Sequence, residues 1–179
     1  MTALPTDVLR FWNEAGPQRW FRRDDAFDAQ FRDRFLATHE AAARGALQHW
    51  RASADGALAL VLLLDQFPRN AFRGTPRMYA TDAQARAEAD AAIGAGFDHA
   101  VDAQLRPFFY LPFMHSERIE DLDRCVALYQ AAGDESLHYA LHHREIVRRF
   151  GRFPHRNAVL GRRSSADEER FLAEGGFGG

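Results

Sequence analysis

Three observations predict an all-α fold. No window alternates apolar and polar residues with period two and enriches Val, Ile or Thr, so no strand is expected. Apolar residues recur instead at spacings of three and four along most of the chain. Gly and Pro punctuate these stretches at short intervals, which favours antiparallel helix pairs, either stacked as a short solenoid or closed into a compact helical array.

Taken in order, Thr6 or Asp7 caps a first short helix through Val8, Leu9, Phe11 and Trp12, stopped by Gly16-Pro17. Trp20 and Phe21 lie in a connector. A long helix starts near Asp24, carries Phe27, Phe31, Phe35 and Leu36, and runs on through Ala41 to Trp50, with Gly45 as its point of interruption. Ser53 or Asp55 opens the next helix, in which Leu58, Leu60 to Leu64 and Phe67 leave almost no polar face. A helix apolar all round belongs in the middle of a domain. Pro68 is expected to end or kink it, so Asp65, Gln66 and Arg69 emerge at the end of the most buried helix, where polar groups are costly unless paired.

Thr81 or Asp82 caps an alanine-rich helix that fades at Gly94 and Gly96, and an Asp98-His99 turn follows. Residues 105–114 are dense in aromatics, with Pro107 suited to a helix start and Pro112 to its end or a kink. Ser116 caps a helix over 117–132 closed by Gly133, and Asp134 opens another running to Phe150. On that last helix Tyr139, Ala140, His143, Ile146, Val147 and Phe150 share one face, which sets His143 in the middle of an apolar stripe.

A chain of 179 residues, 46% hydrophobic, holds one well-buried core, and a single helical domain over 1–175 is expected with 176–179 as a flexible glycine-rich tail. All 23 basic residues are Arg, set against 25 acids, a balance that gives no global pull toward nucleic acid. The lone Cys125 forms no internal disulfide or cysteine-based zinc site, which fits a reducing, cytoplasmic setting. The first residues lack a signal-peptide pattern. The longest apolar run, 57–64, is far shorter than the roughly 20 residues that span a bilayer, so no membrane role is expected.

Charge concentrates in residues 142–163, which hold seven arginines and three histidines against the single acid Glu145. Arg152, His155 and Arg156 there could converge on a carboxylate or phosphate as an anion cradle. Alternatively these arginines bond helix carbonyls and the carboxylates of Asp65 or Glu117. His138 and His142, with Glu145 one turn on, have metal-ligand spacing, but Arg149 on the same strip opposes a cation and a solvated face is the better account. No metal is assigned. A Ser-His-carboxylate arrangement at His115, Ser116 and Glu117 lacks a nucleophile elbow, and Ser116 is more simply a cap. No phosphate-binding glycine loop or dinucleotide fingerprint occurs, so no cofactor is expected.

Three stretches, Leu64-Asp65-Gln66-Phe67-Pro68-Arg69-Asn70, Phe109-Tyr110-Leu111-Pro112-Phe113-Met114-His115-Ser116-Glu117, and Phe150-Gly151-Arg152-Phe153-Pro154-His155-Arg156-Asn157 with Leu160-Gly161-Arg162, resemble the bacterial family called domain of unknown function 924. The resemblance runs from Val8-Leu9-Arg10-Phe11-Trp12 to the closing helix that contains Glu168. It implies a tetratricopeptide-like α-α superhelix without an established activity. It places the family's polar pattern on Asp65, Gln66, Arg69, Asn70, Arg73, His115, Ser116, Glu117, His143, Arg152, His155, Arg156 and Asn157. Asn13 and Leu122 depart from the family's expected residues, and His138 and His142 fall outside the pattern.

The functional expectation is a binding module that takes an anionic small molecule or acidic peptide through Asp65, Arg69, Arg73, Tyr110, Arg152, Arg156 and Asn157. One alternative is an enzyme of unknown reaction with His115, Glu117, His143 or His155 as acid-base groups. The other makes the polar clusters purely structural. Nucleic acid is not expected, because Phe150, Phe153 and Pro154 draw the arginine-rich segment inward.

Overall fold

In the computed structural model, which describes residues 2–178, every regular element is helical and no strand occurs among the described residues. Met1 and Gly179, the last residue of the expected tail, lie outside the described residues. The chain forms two compact units, one of residues 2–73 with 77–112 and one of residues 74–76 with 113–178.

In the first unit, α1 (Pro5–Ala15) begins two residues earlier than a Thr6 cap and three earlier than an Asp7 cap would place it. Pro5 fits the first helical position, and Asp7 instead reaches back to accept from the Leu4 N–H at 3.1 Å. A single turn, α2 (Pro17–Trp20), brings Trp20 against Trp12, with its Nε1–H donating to Trp12 O at 2.7 Å. Asp24 caps α3 (Asp25–Ala43) by accepting from the N–H groups of Ala26 and Phe27. This helix ends at Ala43 rather than near Trp50, because Gly45 at φ 75° takes the left-handed turn that Schellman-type ends use. Its Phe27, Phe31 and Phe35 pack with Phe11 and Trp12 into an aromatic layer.

Ser53 caps α4 (Ala54–Val61), and residues 56–68 are buried without a break. Gly56 is required at this start, since a Cβ would collide with the Trp50 carbonyl. Pro68 does not end the run. A π-helical turn, Leu62–Gln66, passes it into α5 (Phe67–Ala71), and the extra residue is absorbed by the bond from Phe67 N–H to Leu62 O. Thr81 was expected to cap α6 (Asp82–Gly94), but its hydroxyl makes no capping bond there. The start of α7 (Pro107–Met114) is as expected, while Pro112 sits inside that helix.

In the second unit, α8 (Ile119–Ala132) starts two residues later than a Ser116 cap would place it; Ser116 accepts from Arg118 N–H and donates to Asp121 Oδ2 at 2.6 Å. Gly133 and Gly151, both with positive φ, terminate α8 and α9 (Leu137–Phe150). These two helices pack as a pair, burying Leu122, Ile146 and Val147 with Phe153. Ala140 and His143 are buried on α9 as expected, but Tyr139 is 54% exposed. The last helix, α10 (Ala166–Ala173), opens with a Ser165/Glu168 capping box.

Candidate functional site

The π-turn makes the polar cluster of the first unit. Phe67 N–H turns to Leu62, which leaves the Leu63 carbonyl without its usual donor, and Pro68 has no N–H for Leu64. Three consecutive carbonyls are then served by side chains: His39 Nδ1 meets Leu63 O at 2.8 Å, Thr81 Oγ1 meets Leu64 O at 2.5 Å, and Arg69 Nη1 meets Asp65 O at 2.8 Å. A bond to a carbonyl requires the proton on His39 Nδ1. Burial holds the pKa of His39 below its usual value, so the ring is neutral against Phe67.

Asp65, 1% exposed, lies within 3.2 Å of Arg69 and accepts from Gln66 Nε2 at 2.7 Å. Arg69 in turn forms a fork with Asp82, at 2.9 and 3.1 Å. Burial works against the charge on Arg69, and Asp65 with Asp82 outweighs it, so its pKa is raised. Arg73 and Asn70 both bind Asp28, at 2.9 Å and 2.7 Å for their shorter contacts. Tyr110 donates to Asp98 Oδ2 at 2.8 Å. Of the expected ligand-binding residues, the first unit thus joins Asp65 to Arg69 and sets Arg73 and Tyr110 on other carboxylates. Asp28, Asp82 and Thr81 take parts in this cluster that sequence reasoning did not assign.

In the second unit the arginine-rich segment also meets acids. Arg152 grips Glu168 through two bonds, 2.6 and 2.8 Å, and reaches Arg163 O at 2.9 Å. This pairing draws the Glu168 carboxyl down to about 2 and engages the Arg152 guanidinium with a carboxylate. Glu117 receives a fork from Arg162, at 2.7 and 2.9 Å, and accepts from Phe153 N–H at 2.8 Å. Burial would raise the Glu117 pKa, but these donors leave it lowered. The expected meeting of Glu117 with the arginine segment therefore occurs, through Arg162; within the first unit the guanidinium beside Asp65 is that of Arg69. Arg156, 7% exposed, donates to His115 O at 2.9 Å and lies over the Phe153 ring, while Asn157 donates to Ser164.

Around Arg156 the histidines take a different character. His143 Nδ1 bonds Tyr139 O at 2.7 Å, the place where an orienting carboxylate would sit in an acid-base pair. Burial lowers its pKa to about 4, the Tyr139 bond opposes that, and His115, His142 and Arg156 add to it. Burial likewise takes His155 to about 3, with Arg156, His143 and Arg162 adding and Glu117 opposing. The Nδ1 of His155 is buried without a hydrogen-bond partner. His138 bonds Glu135 O on the exposed side of α9. Among the described residues no group of three His, Cys, Asp or Glu side chains could hold a metal ion, and no helix is long and apolar enough to cross a membrane.

An all-helical chain with buried Arg-carboxylate forks and neutral histidines defines a structural class before it defines an activity. Residues 8–176 match the family described as bacterial protein of unknown function, DUF924, and the chain belongs to that family. It is similar to a solved protein of unknown function, ATU0120, from Agrobacterium tumefaciens, with 54% identity over 95% of this chain and 97% of that one and a TM-score of 0.92. Comparison with curated proteins yields no match.

Proposed function

We propose that the protein binds a small anionic ligand in its second unit, at His143 and His155 beside Arg156. The observation that carries this reading is the buried, partnerless Nδ1 of His155 in the field of Arg156 and Arg162. A buried N–H or lone pair left unbonded costs about 1–3 kcal/mol, and a bound ion is one of the few things that offsets that cost. An anion there would accept from a neutral or protonated imidazole and offset the positive surroundings that add to burial in holding His155 unprotonated.

Pairing narrows the ligand class. Arg69, Arg73 and Arg152 are bound to Asp82, Asp28 and Glu168, so the broad basic groove that an acidic peptide needs has little support. A compact anion needs only the residues around His155. The acid-base alternative gains little from imidazoles at about 4 and about 3, which are weak bases at neutral pH. The tetratricopeptide-like superhelix remains part of this proposal and rests on the family resemblance.

Calorimetric titration with inorganic phosphate and with small carboxylates tests the reading. Saturable binding at one site that His155→Phe removes is the expected result. Heat that follows ionic strength alone, or binding untouched by His155→Phe, would overturn it.

A further inference from the structure

Phe177 lies on these same histidines. Its ring centroid is 4.6 Å from that of His143, 5.1 Å from His155 and 6.0 Å from His142, and each contact is edge-on, the arrangement aromatic pairs prefer. The second wall of the slot is Phe153, 5.6 Å from His143 and 5.7 Å from His155, with Arg156 stacked on it at 4.6 Å. The ring is only partly buried and is carried on a glycine-rich segment.

That segment is shaped to deliver it. Gly175 adopts φ 82°, and the N–H groups of Gly175 and Gly176 bond Leu172 O and Phe171 O, folding the chain back at the end of α10. A Cβ on Gly176 would collide with the Phe171 carbonyl and ring, so this close turn needs glycine. These two backbone bonds and the Phe177 ring hold the Gly-Gly-Phe-Gly stretch, which has no other side chain to pack.

We infer that the imidazole slot is a binding site for a planar aromatic ring carrying an anionic group, and that Phe177 is its built-in occupant, which a ligand displaces. The inference rests on the anion-binding reading above and names the ligand class of that site: an aryl carboxylate or aryl phosphate. The ring replaces Phe177 between His142, His143 and Phe153, and the anion completes His155 beside Arg156. A plug closed nine-tenths of the time weakens apparent affinity by about tenfold, and opening it restores that factor.

Benzoate and inorganic phosphate, titrated separately into the full chain and into Phe177→Ala, Phe177→Leu and Gly176→Ala, provide the test. Benzoate is expected to bind about tenfold more tightly to Phe177→Ala and to Gly176→Ala than to the parent protein. Gly176→Ala keeps the phenylalanine but cannot form the turn, so its gain separates displacement from loss of the side chain. Phe177→Leu keeps apolar cover and serves if Phe177→Ala fails to fold; it too should gain. Benzoate should also move the Phe177 ring resonances to those of a released, solvated side chain. Equal benzoate affinity in all four proteins would overturn the plug. Phosphate binding without benzoate binding would overturn the aromatic class while leaving the anion site standing, and failure of both would overturn the two readings together.

Discussion

The hydroxyl of Thr81 donates to the carbonyl oxygen of Leu64 at 2.5 Å, the carbonyl to which Pro68 has no N–H to offer. A proline inside the most buried helix is thereby accommodated by a side chain from the start of α6. Thr81→Val preserves shape and removes the donor, leaving a buried carbonyl unpaired. Urea unfolding should show a loss of about 1–3 kcal/mol with an unchanged slope, and Thr81→Ser should recover most of it.

Arg152 and Glu168 make a second such tie, and its contribution has a defined pH range. The Glu168 carboxyl is held at about 2 against an ordinary 4.5, so its stabilisation is complete above 4.5 and is lost as pH falls toward that value. Glu168→Gln should destabilise the protein by about 1–3 kcal/mol at neutral pH. Unfolding curves of the variant and the parent should converge as pH is lowered through that window.

The buried histidines act over a higher range. His143 and His155 stay neutral in the folded chain to about 4 and about 3, whereas the unfolded chain takes up protons near 6.5. Stability from keeping them neutral is therefore present above 6.5 and declines as pH falls from 6.5 toward those values. His115, His142, Arg156 and Arg162 face the pair with positive or protonatable groups, and Glu117 opposes them. His155→Asn should flatten the dependence of the unfolding free energy on pH between 6.5 and 4. An unchanged slope would mean that His155 is not the group being titrated.

An anion at the site would favour protonated His155, so by linkage its affinity should rise as pH falls. Sulfate, whose charge is fixed across the range, should show an excess of affinity at pH 5 over pH 7.5. His155→Asn should remove that excess.

Much of the helix plan was readable because its causes are local. The helix start near Asp24, Ser53 as a cap, Gly133 as a stop, the end at Phe150 and the apolar stripe carrying His143 all depend on residues within one or two turns. Pro68 illustrates the limit: its local rule predicts a break, and only the distant Thr81 and His39, with the π-turn, let the helix pass. The arginine segment was legible as a concentration of charge, but not which acids it meets. The Ser165/Glu168 capping box is a finding of the structure alone, and nothing in its spacing points to Arg152. Phe177 was hidden for a similar reason, since Gly-Gly-Phe-Gly carries no periodic signal and its ring is placed by a turn against Phe171.

Nitrogen-detected NMR of the histidine side chains during a phosphate titration reads directly whether a small anion is received at His155. A saturable change in the His155 Nδ1 resonance, a smaller one at His143 and little at the exposed His138 is the expected result. A His155 resonance that stays fixed while phosphate reaches concentrations that perturb His138 would contradict it.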